Sequence, residues 1–202
     1  MQEANVPGAL WISIGIAVIC GTIFSTLLGV SAIHLRADQT IAGTAMNVLA
    51  GGLTVYLSEI IFGAKSTRSF IFALNRVSIP VLKDIPILGP LFFTKVYPTT
   101  IIALIILLVS TFMLYKTSFG LRLRSCGEHP QASAAAGISV FKMRYIGVLL
   151  SGGLSALGGA TMLLTYSGEF NGSVAGLGFL SLAALIFGQW KPLGILGATF
   201  FF

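Results

Sequence analysis

Long apolar runs that are almost free of charge constrain this chain more than any other feature of its sequence. A helix that crosses the hydrocarbon core of a bilayer needs about 20 predominantly apolar residues. The runs that meet this requirement are 9–33, 40–62, 98–115 and 145–165. We predict a further span over 174–189 and the start of another over 193–202.

The composition also indicates a membrane protein. Hydrophobic residues make up 55% of the chain and charged residues 9%, whereas soluble domains are about 25% charged. We therefore predict an all-α fold, a polytopic transmembrane helical bundle of about five complete spans and a truncated sixth. Residues 1–202 are expected to form one transmembrane domain in the cell membrane. The last apolar run stops at Phe202 without a flanking charge, which predicts a fragment of a longer chain.

The basic charge lies between the apolar runs rather than within them. The net charge is +6, and its placement favours contact with anionic membrane lipid over binding of nucleic acid. The connection 63–97 and the loop 116–144 each carry five basic residues and one acidic residue. Because these two segments are predicted on opposite faces of the membrane, the positive-inside rule does not decide the orientation.

Residue patterns for catalysis or metal binding are absent from the sequence. His34 and His129 have no cysteine or carboxylate at ligand spacing, which argues against a metal site. Neither a phosphate-binding loop nor a Ser/His/Asp set is suggested. Cys20 and Cys126 imply no disulfide framework. We therefore expect no catalytic residue, no metal and no cofactor in this chain.

The loop 116–144 contains a short helix whose beginning and end can be predicted. Pro130 suits the first helical turn, Glu128 precedes it where the helix dipole favours a negative charge, and Gly137 suits the left-handed position after the last turn. The predicted helix covers 130–136. Its nearly bulk-free face consists of Gln131, Ala134 and Ala135. Such a face suits docking into a groove of a partner protein, and the alternative is an interfacial connector helix.

Within the apolar runs, small and polar residues mark two kinds of feature. Gly152 with Ala156, and Ser155 with Gly159, form a small-residue face that favours close helix packing or a surface that slides during transport.

Asn47 lies inside the second run and could bond a polar solute or another helix. Gln189 ends the fifth run, and together with Asn47 it is our candidate for a solute path.

Three segments resemble one family. Residues 118–139 resemble the cytoplasmic coupling loop of ABC transporter permeases, in the branch that serves ribose, branched-chain amino acids and nucleosides. Residues 35–47 (LRADQTIAGTAMN) resemble the polar start of a core helix in the nucleoside-type members, and residues 176–192 (GLGFLSLAALIFGQWKP) resemble their late core helix. The connection 63–97 matches only loosely, and Cys126 stands where an aliphatic residue is expected.

The resemblance implies a transport subunit without catalytic activity. A separate ATP-binding subunit would dock on the cytoplasmic loop, and the residues implied in this coupling are Gly127, Glu128, Pro130, Gln131, Ala134, Ala135 and Gly137. A second permease subunit and an extracellular substrate-binding lipoprotein are the other implied partners, and the implied solute is a nucleoside or a simple sugar. The alternative is a self-sufficient secondary transporter or channel, a class that usually carries ion-coupling carboxylates at mid-membrane depth.

Overall fold

The structure is a computed structural model that describes residues 9–65, 97–167, 172–174 and 176–202. These residues form eight α-helices and no strand. The helices are α1 (Ala9–Gly29), α2 (Gln39–Phe62), α3 (Pro98–Lys116), α4 (Ser118–Glu128), α5 (Pro130–Ala135), α6 (Val140–Met162), α7 (Leu177–Phe187) and α8 (Pro192–Phe201). Most of the predicted connection 63–97, residues 66–96, lies outside the described residues.

Four helical segments are long and apolar enough to cross a membrane. They are Trp11–His34, Gln39–Phe62, Pro98–Lys116 and Val140–Thr165. The first and last of them continue from α1 and α6 into π-helical turns, Val30–His34 and Leu163–Ser167. These segments confirm the first four predicted spans and the helical membrane bundle, so the chain is a multi-pass membrane protein.

The helix in the fifth predicted span is shorter than the sequence suggests. α7 has 11 residues, or about 16 Å, against a hydrocarbon core of about 30 Å. Gly176 precedes it with φ 76°, and the turn that follows holds Gln189 at φ 52° and Trp190 at φ 59°. These left-handed positions end the helix at both sides, and α8 begins beyond the turn with Pro192 in its first turn.

The chain forms two compact units, one from residues 1–69 with 122–172 and one from residues 70–121 with 173–202. In the first unit, α1 packs along α6. A Cβ added to Gly21 would overlap Ala156, and a Cβ added to Gly152 would overlap Ser25. Glycines at these two positions therefore allow the helices to approach closely. Close packing is confirmed for the predicted pair Gly152 and Ala156.

The start of α2 is fixed by a side-chain cap at the edge of its span. Asp38 Oδ1 accepts hydrogen bonds from the backbone N–H of Thr40 at 2.8 Å and of Ile41 at 3.3 Å. These bonds satisfy two of the four N–H groups that a helix start leaves without intrahelical partners. They also lower the pKa of the Asp38 carboxyl below its usual range, because they stabilise its charged form.

Candidate functional site

The short helix predicted in the basic loop is present as α5, with Pro130 at its first position. It ends one residue earlier than predicted, since Ala136 is its C-cap. Gly137 has φ 80°, and its N–H donates to the carbonyl of Ala134, while the N–H of Ile138 donates to the carbonyl of Ser133, each at 3.0 Å. This is a Schellman motif, and it confirms the predicted left-handed position of Gly137.

The helix α5 has one buried side and one open side. Ser133 is buried and 5% exposed, and α5 packs on α6 in the first unit. Gln131, Ala134 and Ala135 are exposed. Since successive residues are about 100° apart around a helix, Gln131 and Ala135 point almost directly away from Ser133. The predicted small-residue face is therefore open to a partner.

The segment before α5 is also helical, although no helix is predicted there from the sequence. α4 covers Ser118–Glu128, so Gly127 and Glu128 are its last residues and only His129 separates them from Pro130. Both Gly127 and Glu128 are exposed. The sequence of α4 indicates a helix only weakly, because its 11 residues include two glycines, Gly120 and Gly127, and glycine disfavours helix.

Cys126 lies on the inner side of α4 and is 1% exposed. It is the largest side chain buried below 2% exposure in the described part of the chain. A free cysteine behaves there as a small hydrophobic residue, which accounts for its place where an aliphatic residue was expected. Its burial also means that failure of a thiol reagent to label Cys126 would not report on which side of the membrane it lies.

A direct bond joins the beginning of α6 to the end of the first span. His34 Nδ1 lies 2.6 Å from Tyr145 Oη, and the two rings are 5.6 Å apart between centroids. Gly29 makes room for the tyrosine ring, because an added Cβ would lie 2.9 Å from Tyr145 Cε1. The bond therefore ties α6, on which α5 packs, to the end of the first span.

The two residues predicted for the solute path, Asn47 and Gln189, lie in different compact units. Asn47 is exposed on α2, and its amide has no hydrogen bond within the described residues. Gln189 is exposed in the turn after α7, with φ 52°. A non-glycine residue in this region costs about 1–3 kcal/mol, and such strain is concentrated at functional sites. Both residues thus remain candidates for contact with a solute or another segment.

The polar residues that sequence reasoning missed lie on one side of α6. Arg144, Ser151 and Ser155 line a cavity in the first unit, together with Ser25 and Gln39. From the sequence, Ser155 is predicted only as part of a small-residue face for close helix packing or for sliding during transport. Their spacing, 7 and then 4 residues, places them on one helix face. In the sequence, only this spacing indicates that the three polar residues share one helix face.

Comparisons with known proteins agree on one family. All of residues 1–202 match the family described as branched-chain amino acid transport system / permease component. The chain is 46% identical over 195 residues to the guanosine ABC transporter permease protein NupQ of Bacillus subtilis, covering 96% of this chain and 61% of that protein. It is 40% identical over 193 residues to the nucleoside ABC transporter permease protein NupC of Lactococcus lactis, covering 95% and 61%.

A more distant relative is the putative glucose ABC transporter permease protein TsgC13 of Haloferax volcanii, 29% identical over 98% of this chain and 60% of that protein. No solved structure matches the chain. The chain thus spans about three fifths of the length of these relatives. With its whole length matched and its helices apolar enough to span a membrane, the chain belongs to the family of branched-chain amino acid transport system permease components.

Proposed function

We propose that the chain is part of the permease subunit of an ABC importer that passes nucleosides across the cell membrane. The two relatives that share 46% and 40% identity with it are named for guanosine and for nucleosides. The glucose relative is less similar, at 29%, so a nucleoside is favoured over a simple sugar. The permease itself hydrolyses nothing, and the energy comes from ATP hydrolysis on a separate subunit.

The observation that carries this proposal is the open, small-residue face of α5. Gln131, Ala134 and Ala135 are exposed, and Gln131 and Ala135 lie on the side of the helix opposite the buried Ser133. A surface so free of bulk allows a second protein to approach the backbone closely. In our proposal these three residues contact the ATP-binding subunit. Four others set the ends of α5 and of the segment that leads into it: Gly127, Glu128, Pro130 and Gly137.

The path from the docked subunit to the membrane follows the contacts of α5. Force on α5 reaches α6, which is closely packed on α1 and bonded through Tyr145 to His34 in the turn that continues α1. The loop 116–144 is cytoplasmic in this proposal. A second permease subunit and an extracellular substrate-binding lipoprotein complete the importer, and Asn47 and Gln189 contribute to the solute path.

A self-sufficient secondary transporter is the competing proposal. That class usually carries carboxylates at mid-membrane depth for ion coupling. Among the four described spanning segments, the one carboxylate is Glu59, three residues before the end of α2. It lies close to the edge of its span, which favours the ABC importer.

The proposal is tested by two tryptophan variants of α5 in the full-length permease. Ala134→Trp places a large side chain on the proposed docking face, and Ala132→Trp places the same side chain about 160° away around the helix. Overpacking costs about 1–3 kcal/mol, which weakens an interface by roughly one to two orders of magnitude. We expect Ala134→Trp to insert normally but to lose co-purification of the ATPase and uptake, while Ala132→Trp, which is exposed at the edge of the docking face, loses less of both. Equal ATPase recovery and normal uptake in Ala134→Trp would contradict the proposal.

A further inference from the structure

One side of the spanning helix α2 carries polar or very small residues along almost its whole length. Six positions, spaced alternately by four and three residues, lie within about 80° of each other around the helix. We call them the polar face: Thr40, Thr44, Asn47, Gly51, Thr54 and Ser58. The polar face covers a rise of about 27 Å along the axis, against a hydrocarbon core of about 30 Å.

The opposite side of α2 suits contact with lipid. It carries Leu49, Leu53, Tyr56 and Ile60, which are 44–63% exposed. Polar side chains of a spanning helix face the interior of the bundle or a water-filled cavity, because their desolvation in hydrocarbon is costly. The two sides of α2 therefore indicate that its polar face turns away from lipid.

The amide of Asn47 is the group of the polar face that most needs water or a polar partner. Thr44 Oγ1 and Thr54 Oγ1 donate to carbonyls of their own helix, those of Ile41 at 2.9 Å and of Ala50 at 2.6 Å. The Asn47 amide makes no hydrogen bond among the described residues, and along the axis it lies about 5 Å from the middle of α2. Burying an unpaired amide in hydrocarbon costs about 2–7 kcal/mol, which favours contact with water or a polar solute.

The first half of the polar face is exposed, and its far end is covered. The three residues of the first half, up to Asn47, are exposed, whereas Ser58 is 6% exposed. Between them, a Cβ added to Gly51 would lie 3.6 Å from the carbonyl oxygen of Gly172. Residues 40–47 are therefore the part of the polar face that water and a solute can reach in this structure.

We propose that the polar face of α2 is one wall of the water-filled solute path, and that Thr44 joins Asn47 in contact with the solute. The amide of Asn47 both donates and accepts hydrogen bonds, and the Thr44 oxygen keeps acceptor capacity while it donates to Ile41. Such groups suit the hydroxyls and base edges of a nucleoside. That the solute is a nucleoside rests on the proposed function, whereas the contact of the polar face with water does not.

The test compares single cysteines on the two sides of α2, in the full-length permease with its other cysteines replaced by alanine. Thr44→Cys and Asn47→Cys lie on the polar face, and the controls Ala45→Cys and Leu49→Cys lie about 140–180° from its centre. All four positions are exposed, so burial among the described residues does not distinguish them. The protein is held in lipid nanodiscs, where a charged methanethiosulfonate reagent reaches both sides of the membrane.

Reaction with this reagent reports contact with water, because the thiolate is the reactive form of cysteine and an apolar environment disfavours it. We expect Thr44→Cys and Asn47→Cys to react at least about tenfold faster than the two controls, followed by mass spectrometry. Thr44→Cys guards against a folding defect, since the hydroxyl that it removes bonds a carbonyl of its own helix. Equal rates at all four positions, or slower reaction on the polar face, would overturn the proposal, because that face would then lie against lipid or another helix.

A second readout separates a solute path from mere contact with water. The treated permease is reconstituted with its partner subunits, and uptake of labelled guanosine should be lost in Thr44→Cys and retained in Ala45→Cys. Uptake that survives full modification of Thr44→Cys would also overturn the proposal. Uptake that needs no ATP would instead contradict the proposed function and leave the pattern of thiol reactivity unchanged, so the two failures are distinguishable.

Discussion

The contact between α1 and α6 allows a quantitative test with one substitution made at two places. Gly152→Ala and Gly158→Ala change the same residue type in the same helix. The new Cβ at residue 152 would overlap the Cβ and Oγ of Ser25, whereas nothing lies within 4 Å of a Cβ at residue 158. Ser25 is 7% exposed, and its Cβ cannot move without its backbone.

The expected free-energy difference follows from that comparison. Replacing glycine by alanine inside a helix stabilises by about 1 kcal/mol, and this gain is common to both variants. The overlap with Ser25 adds a cost of about 1–3 kcal/mol to Gly152→Ala alone. The two variants should therefore differ by about 1–3 kcal/mol, with Gly152→Ala the less stable.

The assay is the melting temperature of the purified full-length permease in detergent, measured by differential scanning fluorimetry. The scaling for soluble domains of about 150–250 residues converts the difference to about 2–12 °C, and the longer full-length permease should fall in the lower part of this range. Normal insertion of both variants is the control. Equal melting temperatures, or a lower one for Gly158→Ala, would refute the close contact between α1 and α6.

Three further predictions concern the path, the orientation and the helix end. Asn47→Ala should reduce uptake at unchanged protein level if the amide faces the solute, and normal uptake with reduced protein would make it a packing residue. Glu128→Cys, in a background with the other cysteines, Cys20 and Cys126 included, replaced by alanine, should react with an impermeant thiol reagent only in inside-out vesicles; labelling of intact cells would reverse the orientation. Gly137→Ala should loosen α5, seen as faster hydrogen exchange, because a left-handed non-glycine costs about 1–2 kcal/mol, whereas Gly127→Ala should not.

The parts of the fold that the sequence predicts well are those set by local chemistry. The four long spans follow from unbroken apolar runs, and their helices end within a few residues of the predicted limits. The ends of α5 follow from Pro130 and Gly137, whose backbone preferences act within one or two residues of each helix end.

The parts that the sequence does not predict depend on distant residues or on strained backbone. The bond between His34 and Tyr145 joins positions 111 apart, and no local pattern pairs them. The early end of α7 depends on Gln189 and Trp190 in left-handed conformations, which side chains other than glycine rarely adopt. The cavity at Arg144 exists because α1, α4 and α6 converge, and only their packing reveals it.

The central claim is that ATP hydrolysis on a separate subunit drives nucleosides through this permease. The most direct measurement is uptake of labelled guanosine into proteoliposomes that hold the full-length permease, its second permease subunit and its ATP-binding subunit, with the substrate-binding lipoprotein supplied on the substrate side. We expect accumulation that requires ATP on the side of α5, stops without the ATP-binding subunit, and is lost in Ala134→Trp. Accumulation driven by a proton or sodium gradient without ATP would contradict the claim and favour a secondary transporter.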